Sequence, residues 1–459
     1  MNDNKLNGIL KTFRAYDVRG LFPDQLNEEI SYIIGQAFAA TISSDSKVAV
    51  ARDVRSSSKA INKALCEGIT SRGIDVIDLG EIPSPVLYFN TWKLGLAAGA
   101  MITASHLPQN WNGIKFCDGK GIVVSEGTGL ESIKKSLSSI DQSIGKNMGV
   151  HFYKNEIKKY VKFVSDKINI KRKISVVFDY GNSVTANVVP PIISEFGLES
   201  VGINIEQGKF RRSSELTVES MRDLKKKVLD TNSDLGIAYD ADGDRVGFVD
   251  NVGNVYPTGE KIIPIFANNA LSASKGEIII DVTCPSFISE FIRKQGGIPV
   301  VIRVGHSYCA NEVINRNALF GAQYSGHYSF PEMGGADDAI FASFKMIQIL
   351  SRSEKNLSQL VDALPVSYAS RMVEIECPDS EKFSAVATVS SNAKSMGYLV
   401  EEIDGVKIHS KCDDSQWILI RASNTSPIIR INADAKSRES SEDLISFGVS
   451  LVKEVIRNH

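Results

Sequence analysis

The sequence lacks the cysteine and histidine spacings that mark the common zinc sites and disulfide frameworks. Its six cysteines are scattered and include no C-x-x-C pair, so we expect no structural zinc and a reduced, cytosolic protein. Its six histidines include no H-x-x-x-H or H-E-x-x-H spacing, which is typical of zinc hydrolases.

Long apolar runs and an excess of one charge are absent as well. The longest apolar run, near residues 94–104, is too short to span a bilayer, and MNDNKLNGILKTF lacks the apolar core of a signal peptide. The 52 basic and 54 acidic residues give a formal net charge of −2, so no overall field favours nucleic acid or an anionic membrane. We expect a cytoplasmic protein with neither partner, in which a local cluster of donors holds any bound anion.

A chain of 459 residues is too long for a single hydrophobic core and is long enough for about three or four domains. Short β-rich runs alternate with helical patterns from residue 47, and this alternation recurs after residues 155 and 277. The pattern predicts three consecutive α/β domains with mixed sheets. RMVEIEC, VKIHS, QWILIRAS and IIRINAD then predict a C-terminal antiparallel α+β domain. The predicted domains are residues 1–152, 153–255, 256–367 and 368–459.

The segment YDADGDRVGFVD places three carboxylates at alternate positions directly after a predicted strand. Asp240, Asp242 and Asp244 would repel one another unless a cation lay among them, and oxygen ligands favour Mg²⁺ or Ca²⁺. An EF-hand is excluded because its loop needs Gly at the sixth position and Glu at the twelfth, where this chain has Arg245 and Asn251. A solvated, Asp-rich turn stays open as the plainer alternative.

TASHLPQNWNGIKF, at residues 103–116, combines a hydroxyl, an imidazole and an ammonium group after a strand-like run. A phosphorylated Ser105 would carry a charge of about −1.5 to −2 and three acceptor oxygens, one of which could complete the shell of a cation held by the aspartates. From these residues alone, a turn-closing hydroxyl beside a structural His106 is an equal alternative.

Other polar clusters also follow predicted strands. RASNTSPIIR, at 421–430, surrounds a turn with guanidinium groups and side-chain donors, a combination that grips phosphate, although an ordinary polar turn is the alternative. GAQYSGHYSF ends one strand and VGHSYCANE another, and each contributes a histidine. Near the N-terminus, four arginines are either anion contacts or ion pairs with aspartates: Arg14, Arg19, Arg52 and Arg55.

In their order, FRAYDVRG, TASHLPQNWNGIK, DADGDR, GHS with SGHYSF, and RASNTSPIIR resemble the α-D-phosphohexomutase superfamily, which includes phosphomannomutases and phosphoglucomutases. The resemblance spans residues 13–430. It implies four domains around a central cleft and a mutase that interconverts hexose 1-phosphate and hexose 6-phosphate of mannose, glucose or both. It also implies one Mg²⁺ per chain, a hexose 1,6-bisphosphate intermediate that acts as activator, and a monomer or dimer in the cytoplasm.

The resemblance further implies a role for each matching residue. Ser105 would be the phosphoserine that donates to the substrate hydroxyl, and Lys115 or His327 would be the general acid or base. Ser105 and the three aspartates would hold Mg²⁺. The reaction centre would also contain Arg19, Arg245, His306, Tyr16 and His106. Gln323 and Ser325 would read sugar hydroxyls, and the non-reacting phosphate would be bound by Arg421, Ser423, Asn424, Thr425 and Arg430.

Several positions depart from the pattern of the superfamily, among them Thr283, where some members have Lys, and KFRRSSEL, which replaces a Pro-rich segment. Leu107 replaces the usual Asn, Gln323 replaces Glu, and Ser426 replaces the Glu of the phosphate loop. These changes bear on sugar specificity more than on the type of reaction. Three alternatives stay open: a phosphoglucosamine mutase, a metal-dependent phosphatase, and a non-catalytic sugar-phosphate-binding protein on the same scaffold. The intact serine and aspartates argue against the last of these.

Overall fold

The computed structural model describes residues 3–139, 148–366, 368, 372–413, 415–423 and 426–458. Strands of this part of the chain form four separate sheets, which span residues 18–153, 176–256, 277–329 and 373–434 in turn. The first three sheets mix parallel and antiparallel pairs, and the fourth is wholly antiparallel. The predicted fold class is confirmed, whereas the domain boundaries stay a prediction.

The first sheet carries the segment with Ser105. Its elements are α1 (Asp3–Leu10), β1 (Val18–Leu21), α2 (Glu28–Ala39), β2 (Lys47–Arg52), α3 (Ser58–Thr70), β3 (Asp75–Glu81), α4 (Ser84–Lys93), β4 (Ala98–Ile102), β5 (Trp111–Asp118), α5 (Leu130–Ser136) and β6 (His151–Tyr153). The strand order is β1-β5-β4-β2-β3-β6, with β2 parallel to β3 and β4. The carboxyl ends of these parallel strands therefore share one edge, and the Ser105 loop follows β4 there.

The second sheet carries the aspartate loop. Its segment contains α6 (Ile157–Lys167), β7 (Val176–Asp179), α7 (Val189–Phe196), β8 (Ser200–Ile203), α8 (Arg222–Asp230), β9 (Leu235–Tyr239), β10 (Val246–Asp250) and β11 (Val255–Tyr256). The strand order is β11-β10-β9-β7-β8, and the loop between antiparallel β9 and β10 holds the aspartates. The sequence pattern predicts a helix from residue 218, but the helix begins at Arg222 because residues 218–221 form turns.

The remaining two sheets belong to the third and fourth segments of the chain. The third segment contains α9 (Ile262–Ala273), β12 (Glu277–Asp281), α10 (Ser286–Lys294), β13 (Ile298–Ile302), α11 (His306–Asn315), β14 (Phe320–Ala322), β15 (Tyr328–Ser329), α12 (Ala339–Arg352) and α13 (Leu357–Asp362). The fourth contains β16 (Val373–Glu376), α14 (Lys382–Ser395), β17 (Val400–Glu401), β18 (Val406–His409), β19 (Trp417–Ala422), β20 (Ile428–Asp434) and α15 (Arg438–Asn458). Their strand orders are β13-β12-β14-β15 and β16-β20-β19-β18-β17.

One continuous hydrophobic core joins the first three sheets. It includes Leu79 of β3, Phe178 of β7, Ile280 of β12 and Phe344 of α12. The fourth sheet has a core of its own, built around residues such as Ile418. The first three segments therefore form one packed body, which fixes the positions of their loops relative to one another. Within the described ranges, no helix is both long and apolar enough to cross a membrane.

Asp338 caps helix α12 from a fully buried position, and we expect it to make stability depend on pH. It accepts a hydrogen bond from the Phe341 N–H at 2.8 Å and from the Tyr160 hydroxyl at 2.9 Å. Burial raises the pKa of Asp338 to about 7, from an ordinary value of 3.8. Between these pH values the folded state keeps a proton that the unfolded state has lost, so the free energy of unfolding falls as pH rises. The destabilisation by Asp338 is complete above about pH 7.

Asp338→Asn retains an oxygen for the cap but carries no charge. We expect it to match the wild type near pH 4 and to exceed its free energy of unfolding at pH 8 by about 4 kcal/mol. Urea unfolding at both pH values measures the difference. Asp362→Asn, at an exposed position, is the matched control and should show no such pH dependence. A gain that is equal at the two pH values would contradict the prediction.

Candidate active site

Ser105 lies in a strained turn just beyond strand β4. Its φ of 50° lies in the left-handed region, and every other described non-glycine residue with positive φ is Asn or Asp. The Ser105 N–H donates to Thr103 Oγ1 at 2.8 Å, and its own hydroxyl donates to Asp240 Oδ2 at 3.0 Å. His106 Nδ1 lies 3.4 Å from the same hydroxyl. A strained serine that is held against a carboxylate of another segment is typical of a functional position.

A buried arginine holds this turn in place. Arg55 donates to the carbonyl oxygens of Ser105 and Leu107, at 2.7 Å each, and to two others of the same loop at Pro108 and Trp111. Its Nε lies 3.1 Å from Asp53 Oδ2, and both side chains are fully buried. The guanidinium group therefore supplies the donors that the carbonyl oxygens of this irregular loop would find in a regular element.

Arg55→Met is expected to destabilise the protein and to misplace Ser105. It leaves Asp53 as a buried, unpaired charge and four carbonyl oxygens without their donor, at a cost of about 3–5 kcal/mol. A displaced nucleophile should also lower kcat by about 10²-fold. Urea unfolding and steady-state kinetics measure the two effects. Arg52→Met is the matched control: it removes an ion pair with the partly exposed Glu81 and should cost about 1 kcal/mol or less.

The aspartate loop between β9 and β10 folds around Asp240. One oxygen of this residue, Oδ1, accepts the backbone N–H groups of Gly243, Asp244 and Arg245 at 3.0–3.2 Å. Gly243 has a φ of 73°, and a Cβ atom there would lie 2.8 Å from Thr185 Cγ2, so the turn requires glycine. The loop thus points its carboxylates into the protein instead of into solvent.

These carboxylates suit a hard divalent cation. The ligand oxygens of Asp240, Asp242 and Asp244 lie within 4.8 Å of one another, and all three residues are buried. Asp242 Oδ1 and Asp244 Oδ1 are buried without a hydrogen-bond partner among the described residues. An all-oxygen donor set with two orphaned carboxylate oxygens fits Mg²⁺.

Lys115 supplies the positive charge that faces these carboxylates. Its Nζ donates to Asp242 Oδ2 at 2.7 Å and to Asp244 Oδ2 at 2.5 Å. The residue lies inside strand β5, opposite Met101 of β4, and its side chain is buried. Although burial alone would lower it, the two carboxylates hold the pKa of Lys115 well above its usual value. Lys115 therefore stays charged in the centre of the cluster.

The remaining pKa shifts follow from burial and from the neighbouring charges. Burial, with the charges of Asp244 and Asp242, raises the pKa of Asp240 well above its ordinary value. Burial acts the same way on Asp244, but Lys115 and then His327 outweigh it and hold the pKa of Asp244 well below its ordinary value. Burial and the charge of Arg245 hold the pKa of His106 well below its usual range. A neutral His106 thus lies beside the serine.

The third segment brings two stacked imidazoles to the same cluster. The rings of His306 and His327 lie 5.6 Å apart, and His327 Nε2 lies 3.6 Å from Asp244 Oδ1. Arg245 Nε donates to His327 Nε2 at 3.4 Å, and His327 Nδ1 lies 2.8 Å from Ser325 Oγ. With Arg245 as the donor to Nε2, the proton of a neutral His327 would lie on Nδ1. Burial, the largest effect, lowers the pKa of His327, which favours this neutral form.

Other predicted residues surround the cluster or support it. Arg19 donates from Nη1 to the carbonyl oxygen of Ala104 at 2.6 Å, directly before Ser105, and its Nε pairs with Asp17. Tyr16 lies edge-on to His306, with its hydroxyl 2.8 Å from the carbonyl oxygen of Val304. Gln323 is buried, and its Nε2 has no hydrogen-bond partner in the described part of the chain.

The predicted phosphate loop belongs to the fourth sheet. Arg421 Nη2 lies 3.1 Å from Asp404 Oδ2, an oxygen that also accepts the Val304 N–H from the third segment. Arg430 pairs with Glu374, and Lys382 donates to the carbonyl oxygen of Ser423. Two further predicted residues, Asn424 and Thr425, lie outside the described residues. All four N-terminal arginines form ion pairs, including Arg14 with Asp379 of the fourth segment.

Sequence patterns missed several residues of the site. Asp337 Oδ1 lies 3.5 Å from His306 Nδ1, and Glu215 bridges Arg245 at 3.5 Å and His106 at 3.6 Å. Ser84 donates to Asp242 Oδ2 at 2.7 Å. None of these residues belongs to a recognisable motif. For Asp337, the one available signal is the acidic pair DD before a helical run, which also reads as a helix cap.

The chain matches three family descriptions in succession. "Phosphoglucomutase/phosphomannomutase, alpha/beta/alpha domain I" matches residues 10–143, "domain II" matches residues 152–253 and "domain III" matches residues 258–368. These matches fall on the first three sheets, in the same order. They cover the serine loop, the aspartate loop and both histidines of the cluster.

Individual proteins are similar over nearly the whole chain. A "Phosphomannomutase/phosphoglucomutase" of Pseudomonas syringae pv. tomato is 32% identical over 438 residues, covering 94% of this chain and 92% of its own. A "Probable phosphoglucosamine mutase" of Pyrococcus horikoshii is 32% identical over 452 residues, covering 97% and 98%. The crystal structure of a phosphoglucomutase/phosphomannomutase family protein from Burkholderia thailandensis superimposes with a TM-score of 0.87 at 26% identity, covering 97% and 98%.

Proposed function

The chain belongs to the phosphoglucomutase/phosphomannomutase family, and we propose that it interconverts hexose 1-phosphate and hexose 6-phosphate through a phosphoserine at Ser105. Its similarity to these relatives identifies the chain as a hexose-phosphate mutase, an isomerase that transfers a phosphoryl group within its substrate. The observation that carries the proposed mechanism is the Ser105 hydroxyl, 3.0 Å from a carboxylate of the aspartate cluster. We propose glucose or mannose as the sugar and the cytoplasm as the compartment.

In the proposed reaction, the phosphoserine passes its phosphoryl group to the free hydroxyl of the bound hexose phosphate. The new bond forms to the substrate oxygen, the bond to Ser105 Oγ breaks, and the substrate proton leaves. The resulting hexose 1,6-bisphosphate turns around and returns its other phosphoryl group to Ser105 by the reverse transfer. Ser105, Asp240, Asp242 and Asp244 would hold Mg²⁺, which neutralises charge on the phosphoryl oxygens when it is bound.

We assign the two proton transfers to different side chains. A neutral His327 that accepts from Arg245 would carry its lone pair on Nε2, so it suits the role of the base that takes the substrate proton. Lys115 is held charged by two carboxylates, so it suits the role of a donor toward Ser105 Oγ as the phosphoryl group leaves. Arg245 contacts His327 and Glu215 and can pair with phosphoryl oxygens.

The non-reacting phosphate would bind at the fourth sheet. Arg421 and Ser423 lie at the end of β19, where Arg421 is paired with Asp404. A phosphate could replace this carboxylate on the guanidinium group and form charge-assisted hydrogen bonds with it. Such a site can bind either phosphate of the bisphosphate, as the reorientation of the intermediate requires. Asn424, Thr425 and Arg430 complete the proposed phosphate ligands, and Gln323 and Ser325 the proposed sugar contacts.

One set of assays tests this function. The purified protein, with Mg²⁺ and hexose 1,6-bisphosphate, is assayed on the 1-phosphates of glucose, mannose and glucosamine. We expect turnover of the glucose or mannose compound and a phosphate on Ser105 by mass spectrometry. Turnover of glucosamine 1-phosphate alone would favour the second candidate, which the Pyrococcus relative supports. Net release of phosphate, or no turnover of any compound, would reject a mutase.

A further inference from the structure

Three side chains with metal-binding groups meet on one face of the first sheet, away from the reaction centre. Cys66 belongs to α3, Asp78 to β3 and His151 to the edge strand β6, and their ligand atoms lie within 4.8 Å of one another. Cys66 and Asp78 are buried, whereas the side chain of His151 is 44% exposed. We propose that Cys66, Asp78 and His151 form a Zn²⁺ site that stabilises the fold, independent of the mutase reaction.

The fold, and not a local motif, brings these ligands together. Asn62 and Cys66 are four residues apart on α3 and therefore share the face that packs on the sheet. Strands β3 and β6 run parallel with Val76 opposite His151, so Asp78, two residues along β3, points to the same side as His151. The sequence predicts no structural zinc because it has no C-x-x-C pair. That motif detects only metal ligands that are close to one another in the sequence.

The carboxylate is already oriented as a metal ligand requires. Asp78 Oδ2 lies 3.3 Å from His151 Nε2 and accepts the Asn62 amide at 2.8 Å, while Oδ1 accepts the Gly80 N–H at 2.8 Å. The other end of that amide, Asn62 Oδ1, is buried with no hydrogen-bond partner within the described ranges. Such outer contacts hold ligand carboxylates in known metal sites, and the orphaned oxygen is a further donor beside the cluster.

The chemistry of the three groups selects zinc over magnesium. Thiolate and imidazole are borderline-soft ligands that Zn²⁺ prefers, and one carboxylate with one thiolate neutralises its charge. Three protein ligands leave a fourth position, which solvent can reach past the half-exposed His151. Burial, with the charge of Asp78, holds the pKa of the Cys66 thiol well above its ordinary value, so the metal displaces a proton when it binds.

The proposed Zn²⁺ site would stabilise the chain where the first segment continues into the second. Strand β6 is three residues long, exposed along its length, and leads directly into α6. Its pairing to β3 spans only Val76 to Asp78. A metal ion shared by His151, Asp78 and Cys66 would cross-link this short edge strand to the sheet and to α3. Zn²⁺ should therefore raise the thermal midpoint of the full chain.

The test uses Co²⁺ as a spectroscopic substitute for Zn²⁺. Metal-stripped, full-length protein is titrated with Co²⁺ in excess Mg²⁺, which occupies the aspartate cluster. We expect one equivalent of Co²⁺ to give a thiolate-to-cobalt absorption band, which the oxygen ligands of Asp240, Asp242 and Asp244 cannot produce. Zn²⁺ should abolish the band by displacement and should raise the melting temperature.

Variants assign the band to its ligands. Cys66→Ser should remove the band, and His151→Gln, at a half-exposed position that tolerates substitution, should weaken Co²⁺ binding by at least about tenfold. Cys412→Ser and His409→Gln, which alter a thiol and an imidazole elsewhere, are the matched controls and should leave it intact. Absence of the band in the wild type, its persistence in Cys66→Ser, or unchanged affinity in His151→Gln would overturn the proposal.

Discussion

Ser105→Ala is expected to lower the mutase kcat/KM by at least about 10⁴-fold, which corresponds to ~5 kcal/mol of transition-state stabilisation. The substitution removes the oxygen that would carry the phosphoryl group and that lies 3.0 Å from Asp240 Oδ2. Loss of a covalent nucleophile cannot be offset by neighbouring groups that only bind or position the substrate. Steady-state kinetics on glucose 1-phosphate, with mass measurement after incubation with hexose 1,6-bisphosphate, follow the rate and the phosphate.

A glycine at the same position separates catalysis from backbone strain. Ser105 has a φ of 50°, where a residue with a Cβ atom is strained and glycine is not. Ser105→Gly and Ser105→Ala both lack the hydroxyl, so both should be inactive. The glycine variant should nevertheless have the higher free energy of unfolding of the two, by about 1 kcal/mol. Equal stability would show that the turn stores no strain.

The matched control is Ser31→Ala, another buried serine, on helix α2, whose hydroxyl donates to the carbonyl oxygen of Asn27 just before that helix. The Ser31→Ala protein should turn over substrate at the wild-type rate and should carry as much phosphate as the wild-type protein. Ser105→Ala activity within about tenfold of the wild type would contradict the assignment of the nucleophile. A phosphate that persists on the Ser105→Ala protein would place the modification elsewhere.

The order of strands and helices could be predicted from the sequence because buried parallel strands and amphipathic helices leave distinct periods. KVAVARD and IDVIDLG became β2 and β3, and the runs after residue 370 became the antiparallel fourth sheet. In each of the first three segments a polar loop follows the end of a strand, so a cleft shared by Ser105, the aspartates and the histidines could also be anticipated.

The supporting contacts of the site could not be predicted, because they depend on tertiary packing. Lys115 follows the turn-like NWNG, yet it lies in strand β5, where pairing with both β1 and β4 overrides the weak β-propensity of Asn and Gly. Arg55 could equally bind an anion or Asp53, and only the structure shows it donating to loop carbonyl oxygens. Asp337 and Glu215 have no motif, since their partners His306 and Arg245 are distant from them in the sequence.

Lys115→Met is expected to destabilise the Mg²⁺-free protein by about 3–5 kcal/mol, because two buried carboxylates lose the ammonium group between them. The same change should lower kcat by about 10²–10³-fold, since the proposed proton donor and its charge are lost. Lys120→Met, at an exposed position beyond the same strand, should leave both quantities unchanged. Urea unfolding in the presence of a chelator and steady-state kinetics in Mg²⁺ measure the two effects.

The distinguishing result is the response of this variant to Mg²⁺. If the cation binds among Asp240, Asp242 and Asp244, it can replace the missing positive charge, so it should stabilise Lys115→Met more than it stabilises the wild type. Ligand at about 100 times its Kd adds ~2.7 kcal/mol, and tighter binding to the uncompensated carboxylates adds more. Stability would then recover with Mg²⁺ while kcat stayed low, which separates the structural charge of Lys115 from its catalytic role. Equal stabilisation of both proteins by Mg²⁺ would mean that the ion binds elsewhere.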